Sequence, residues 1–157
     1  MSSIAVFLAL AITAEPSAAD QKQYEEAARK AINASGPAID ACTARYLEEQ
    51  PGSEGLAKIA IQVGKGGLVS SAAVDTPLPQ ARSLKECLER IARTWRMPPP
   101  QTDKPDELKL QIPVKKGAKF KIYGPGEQPP PEAADQPQGF LQFTPSFLRN
   151  YDEKGQE

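Results

Sequence analysis

Histidine is absent from this 157-residue chain, and cysteine occurs only twice. The lack of histidine excludes Ser-His-Asp and Cys-His nucleophilic catalysis and removes the commonest zinc ligand. No run of about 20 apolar residues occurs, so no segment has the length of an ordinary membrane span. The net charge of −1 gives no overall attraction to nucleic acid or to an anionic membrane. These absences favour a binding or structural protein over an enzyme, and we expect no metal and no cofactor.

The first nineteen residues read as a cleavable signal peptide. Residues 4–14 are largely apolar and have the length of a signal-peptide core, which is too short for a membrane span. Pro16 and the small residues Ser17, Ala18 and Ala19 follow, and they suit cleavage after Ala19. Cleavage after Ala14 and a buried N-terminal helix are the alternatives. We therefore expect a periplasmic or secreted protein.

The two cysteines, Cys42 and Cys87, are an even pair, and in an oxidising compartment a disulfide is their default state. Two buried thiols are the alternative. Their wide spacing does not match a Cys-x-x-Cys redox motif. A bridge closing a loop of about 46 residues stabilises the fold by at most about 4 kcal/mol.

Hydrophobic periodicity divides the chain into helices, strands and a tail. An N-terminal helix is predicted over 20–36, followed by an α+β domain over 37–123. In that domain, two helices pack on one face of a small three-stranded antiparallel sheet, in the order helix, strand, strand, helix, strand. The strand patterns cover 57–63, 68–75 and 108–114, and the two helical patterns begin at Pro37 and at residue 80. Both cysteines fall on the core-facing stripes of these two helices.

Residues 124–138 form a spacer in which five of fifteen residues are proline. The tail over 139–157 is aromatic, which a disordered segment normally is not. We expect this tail to dock either on its own domain or on a partner. Its candidate binding residues are Phe140, Phe143, Phe147 and Tyr151.

The third predicted strand is a candidate partner-binding edge. Pro113 cannot donate to a ladder, which places this strand at the edge of the sheet or marks its end. An extended peptide could add as a further strand there. The alternative is an edge capped by residues 119–123 or by the tail. The candidate residues are Leu108, Lys109, Leu110, Gln111 and Ile112.

Charge is unevenly distributed along the chain. Residues 82–121 hold eleven basic against five acidic residues, whereas residues 122–157 hold two against six. The tail could fold onto the basic segment, the segment could face an anionic envelope polymer, or it could be a solvated face. Adjacent carboxylates such as Glu48-Glu49 and Asp106-Glu107 point apart on a regular element, so they do not form a catalytic pair.

Two stretches resemble the C-terminal domains of TonB-type proteins. Residues 55–69 read as glycine, alternating apolar residues, a glycine-rich turn and a return strand, and residues 95–99 read Trp-Arg-Met-Pro-Pro. The closer resemblance is to the AgmX/PglI-type C-terminal domain of gliding bacteria, which has a cysteine before the first strand and another in the second helix. Cys42 and Cys87 occupy those places. The resemblance covers roughly residues 37–114.

This resemblance implies a periplasmic domain that binds other envelope proteins and has no catalytic residues. We therefore expect an exported, non-catalytic protein-binding module that pairs with partners through a sheet edge or its tail. Nucleic acid is not an expected partner. The alternative is a secreted, disulfide-braced structural domain that binds an envelope polymer or a small ligand.

Overall fold

The computed structural model describes residues 18–100, 102–124, 126–129, 131 and 138–144. Phe147 and Tyr151 of the tail, and most of the predicted signal peptide, lie outside these residues. Among the described residues, no helix is both long enough and apolar enough to cross a membrane. The helices and strands are α1 (Ala18–Ala34), α2 (Gly36–Glu49), β1 (Gly55–Val63), β2 (Val69–Asp75), α3 (Arg82–Arg93), β3 (Asp106–Val114) and β4 (Phe140–Thr144).

The strands form one antiparallel sheet in the order β2-β1-β3-β4. The predicted α+β class is confirmed. The prediction of three strands is wrong, because residues from the start of the tail form β4 beside β3. Two helices, α1 and α2, precede the first strand; α1 covers most of the segment where a separate N-terminal helix is predicted. The pairing of β3 with β4 was not predicted, because hydrophobic periodicity identifies single strands and gives no information about a partner that lies beyond a Pro-rich spacer.

The alternating residues of each strand divide the sheet into an apolar inner face and a polar outer face. In β1, four alternate residues face inward and are almost completely buried: Ala57, Ile59, Ile61 and Val63. Lys58 and Gln62, which lie between them, are exposed. Leu108, Leu110 and Ile112 of β3 continue the inner face, and their exposure does not exceed 2%. The apolar stripes of the helices cover this face and form one core with it.

The N-terminal helix contributes to the same core. Tyr24, Ala28 and Ile32 recur at every fourth position of α1, so they lie on one stripe of the helix, and all three are buried. Ser35 separates α1 from α2, and its hydroxyl accepts a hydrogen bond from the buried indole Nε1 of Trp95 at 2.9 Å. This bond fixes the corner between the first two helices against the end of α3.

The predicted disulfide is confirmed: Cys42 of α2 is bonded to Cys87 of α3, with their Cα atoms 6.0 Å apart. The Tyr46 hydroxyl of α2 donates a 2.6 Å hydrogen bond to the Pro79 carbonyl, just before α3. A covalent bond therefore joins α2 to α3, and a polar contact joins α2 to the segment just before α3.

The chain between β3 and the Pro-rich spacer is held by side chains rather than by a strand ladder. Asp40 of α2 accepts a 2.7 Å hydrogen bond from the Phe120 amide. Asn33 of α1 holds both backbone groups of Ile122, since its amide donates to the carbonyl at 2.9 Å and its oxygen accepts from the N–H at 2.8 Å. The only strand-like contact described for residues 120–123 is a parallel bridge between Ile122 and Gly139. This bridge brings the two ends of the spacer together.

Gly67, at the end of the β1–β2 turn, allows a close backbone approach. Its φ of 76° lies in the left-handed region, and its carbonyl accepts a 2.9 Å hydrogen bond from Met97. A Cβ atom at this position would overlap the Met97 carbonyl. The turn is therefore packed against the segment that follows α3.

Candidate functional site

The predicted edge strand is internal in the structure. β3 pairs with β1 along its whole length and with β4 from Glu107 to Gln111. The expectation of unpaired backbone groups over 108–112 is therefore wrong, because the tail occupies that edge. Leu108, Leu110 and Ile112 face the core, whereas Lys109 and Gln111 alternate with them and face outward. Whether these residues bind a partner stays a prediction.

β4 ends its pairing two residues before Pro113. Phe140 lies opposite Gln111, and Thr144 lies opposite Glu107. Pro113 pairs with Leu56 of β1 on its other side. β3 itself ends at Val114, one residue after Pro113, which agrees with the expectation that this proline marks the end of the strand.

The tail aromatics that the structure describes point to opposite faces of β4. Phe143 is partly buried and stacks on Tyr24 of α1, with ring centroids 4.4 Å apart and an interplanar angle of 21°. Leu141 faces the same way and also packs against the core. Phe140 is 58% exposed on the outer side. Over residues 140–144, docking on the chain's own domain is thus the alternative that the structure adopts.

Tyr24 lies at a buried corner between α1, β3 and β4. Tyr24 is 7% exposed as a whole residue, and Asp106 nearby is 2% exposed. The Tyr24 hydroxyl is buried beside the Asp106 carboxylate. Burial, and secondarily the negative charge of Asp106, raise the pKa of Tyr24 far above its usual value. The stacked ring is therefore neutral throughout the physiological pH range.

Two clefts flank this corner. One, of about 370 Å³, lies between α1 and Pro98-Pro99 and reaches Tyr24. The other, of about 340 Å³, lies beside Leu141 and Phe143 and is also lined by Arg29 and Tyr123. Because the second cleft opens beside its side chains, β4 is less completely enclosed than the close-packed strands at the centre of the sheet.

The outer face of the sheet carries small and polar side chains. One row across the four strands is Asp75, Lys58, Gln111 and Phe140, and the next is Ala73, Ala60, Lys109 and Gln142. Within the described part of the chain, β2 and β4 are the outer strands. The start of β2 is partly covered, because Leu68 forms a bridge with Arg96.

A third groove, of about 730 Å³, runs along the exposed side of α2. The helix contributes Ala44, Leu47 and Glu48 to one wall, and the loop 115–119 forms the other. Lys115, Lys116 and Lys119 of that loop are exposed. None of these lysines forms an ion pair with a residue in the described ranges.

The described residues contain no group of three or more Cys, Asp or Glu side chains placed to hold a metal ion. Glu49 is tied to its neighbours, since its carboxylate accepts hydrogen bonds from Arg45 at 3.4 Å and from the Ser83 hydroxyl at 3.3 Å. Its neighbour Glu48 lines the α2 groove instead. The two carboxylates therefore face different surroundings.

Comparison with known proteins finds no matching family model, no matching curated protein and no matching solved structure.

Sequence reasoning did not identify Asn33, Asp40 or Tyr24 as structurally important. The first two lie on helices and bind a backbone segment more than 75 residues away, as their separations of 89 and 80 residues show. No local pattern marks such a contact. Tyr24 lies on the buried stripe of α1, but its stacking partner, Phe143, lies beyond the Pro-rich spacer.

Proposed function

We propose that this chain is an exported, non-catalytic protein-binding module of the cell envelope. It binds an extended segment of a partner protein along the β3 edge that β4 occupies in the structure. The pairing of β3 with β4 carries this proposal. This pairing supports a site on β3 that accepts a short antiparallel strand, since β4 is connected to the domain only through the spacer.

The chain's own strand indicates the chemistry of the partner. Leu141 and Phe143 point into the core, with Phe143 on the Tyr24 ring, while Gln142 between them faces outward. Backbone pairing supplies affinity in strand addition, and pockets for alternate side chains supply specificity. The expected partner segment therefore has an apolar residue, any residue and an aromatic residue in sequence.

The partner gains access by replacing β4. This strand is only five residues long, and the spacer that tethers it is rich in proline. The cleft beside Leu141 and Phe143 leaves it incompletely enclosed. Exchange then breaks one short ladder while the core formed by α1–α3, β1, β2 and β3 stays intact.

Two further observations support the proposal. The Cys42–Cys87 bridge agrees with an oxidising compartment, as expected for an exported chain. The resemblance of residues 37–114 to TonB-type domains points to the same class of function. Catalysis has no support from the motifs in the sequence.

A disulfide lock on β4 tests this proposal. Lys109 and Gln142 are outward-facing Cα partners on β3 and β4, so the Lys109→Cys/Gln142→Cys variant can join the two strands. Ala60 and Ala73 are the equivalent partners on β1 and β2, and Ala60→Cys/Ala73→Cys is the matched control. Each tagged full chain is cross-linked in envelopes of its own host, and the recovered proteins are identified by mass spectrometry.

We expect the unmodified chain and the β1–β2 lock to recover the same envelope protein. The β3–β4 lock should reduce that recovery by about tenfold or more, because the strand cannot leave. Equal recovery with both locks would contradict binding at β3. Recovery of no protein above background would contradict the binding function itself.

A further inference from the structure

We infer that the groove along α2 binds the C-terminal tail of a second copy of this chain, so that the protein associates head to tail. This inference does not depend on strand exchange at β3. Its occupant is the segment from Leu148 to Glu153, which follows the described residues.

The two walls of the groove carry opposite charge. Lys115, Lys116 and Lys119 line the loop wall, while Glu48 and Glu54 line the side formed by α2 and the residues after it. The acid Asp40 also borders the groove, but its carboxylate already accepts the Phe120 N–H. Such a groove suits a segment with charges of both signs and disfavours a uniform polyanion.

The floor between these walls is largely apolar. It is formed by Ala44, Leu47, Pro51 and Ala118. The volume of about 730 Å³ falls in the range of sites that enclose a ligand. An occupant therefore needs apolar side chains between its charged residues.

The loop wall is held in place before anything binds. The Ala118 amide donates a 3.1 Å hydrogen bond to the Lys115 carbonyl, and Gly117 has a φ of 77° within this turn. The Asp40 bond to Phe120 anchors the loop immediately afterwards. The three lysines are thus presented from a fixed backbone, which lowers the entropy lost on binding.

The tail of this chain carries matching chemistry. It reads Leu148-Arg149-Asn150-Tyr151-Asp152-Glu153. Asp152 and Glu153 suit the lysine wall, and Arg149 suits Glu48 and Glu54. Leu148 and Tyr151 supply the apolar side chains for the floor.

The tail that fills the groove comes from another molecule, because the geometry opposes a contact within one chain. β4 runs from opposite Gln111 to opposite Glu107, so the tail leaves at the end of β3 remote from Lys115. That length of strand measures about 26 Å. The eight residues that follow Thr144, up to Asp152, reach at most about 29 Å. They would need full extension and a reversal of direction together.

The contact is heterologous, since each copy offers one groove and one tail from different surfaces. Such contacts close into rings or continue as open chains. Association should also depend on salt, because its charged pairs are exposed.

The test measures the mass of the full chain by light scattering and sedimentation from about 1 µM to about 1 mM, at low and at high salt. The groove variant is K115Q/K116Q/K119Q, and the tail variant is D152N/E153Q. The matched control, K22Q/K58Q/R90Q, removes three exposed positive charges elsewhere. Circular dichroism and an intact disulfide confirm that each variant folds.

We expect the unmodified chain and the control to associate at low salt. Association should be about tenfold weaker in either variant and in high salt. An equal mixture of the groove and tail variants should form dimers and nothing larger, because only one productive contact is then available. A monomer at all concentrations would overturn the inference, as would association of undiminished strength in the tail variant or a mixture without dimers.

Discussion

Tyr24 on the first helix stacks on Phe143 on the last described strand, with 4.4 Å between the ring centroids. Their contact joins parts of the chain that are 119 residues apart in sequence. Together with Leu141, Phe143 attaches β4 to the core, whereas Phe140 on the same strand faces away from it. The strength of the contact between Tyr24 and Phe143 therefore contributes to the free energy needed to separate β4 from β3.

Phe143→Ala removes the stacked ring and should destabilise the protein by about 2 kcal/mol, less than for a fully enclosed phenylalanine. Urea unfolding followed by circular dichroism measures the change. Phe140→Ala is the control, since the exposed side chain should contribute no more than about 0.5 kcal/mol. Equal effects of the two substitutions would contradict the role given to Tyr24.

Opening the disulfide with the Cys42→Ser/Cys87→Ser variant should lower the free energy of unfolding by up to about 4 kcal/mol, because the unfolded chain regains the freedom of a long loop. Chemical denaturation under non-reducing conditions measures this loss. The unmodified protein should lose a similar amount when its bridge is reduced. An unchanged denaturation midpoint would show that the bridge does not brace α2 and α3.

Asn33→Ala should destabilise the protein by about 1 to 3 kcal/mol, because it leaves both backbone groups of Ile122 without their partner. Amide exchange should increase at Ile122 in particular. Ser70→Ala is a suitable control, since its hydroxyl donates to the Gln62 carbonyl on the exposed surface. A similar small effect from both changes would contradict the role of Asn33 in holding the backbone of Ile122.

Gly67→Ala should be much more disruptive than Gly66→Ala. Both glycines have φ values near 75°, namely 76° and 74°. A Cβ at Gly66 meets nothing within 4 Å, whereas one at Gly67 overlaps the Met97 carbonyl. Gly66→Ala should therefore cost only the conformational term of about 1 to 2 kcal/mol. Thermal unfolding of the two variants compares the costs, and equal costs would contradict close packing at Gly67.

The raised pKa of Tyr24 predicts a loss of stability at high pH. The unfolded tyrosine ionises near pH 10, but burial and the Asp106 charge keep the folded one neutral. The stability that depends on this neutral form is present below the ordinary pKa and falls as the pH rises above it. Tyrosinate absorbance and unfolding should be followed together, and Tyr24→Phe should flatten this alkaline loss. An unchanged pH profile in that variant would contradict the assignment.

The helices and the first three strands were predictable because their signals are local. The alternation over β1 and the stripe of Leu84, Leu88 and Ala92 on α3 each occur within one element. The cysteine pairing was predictable because two cysteines allow one partner each. β4 was not predicted as a strand, because its partner is separated from it by a spacer whose composition carries no pairing information. The contacts of Asn33 and Asp40 were unpredictable because each joins a helix to a backbone group 80 or more residues away, and no local pattern marks them.

The central claim is that β4 is a separable occupant of the β3 edge, and native-state amide exchange of the full chain tests it most directly. Amides of β4, and those of β3 that bond to it, should exchange through an opening at least about 2 kcal/mol easier than global unfolding. β1 should exchange only by global unfolding, and Phe143→Ala should make the β4 opening easier still. Exchange of β4 and β1 at the same free energy would show that β4 is an integral strand and would contradict the account.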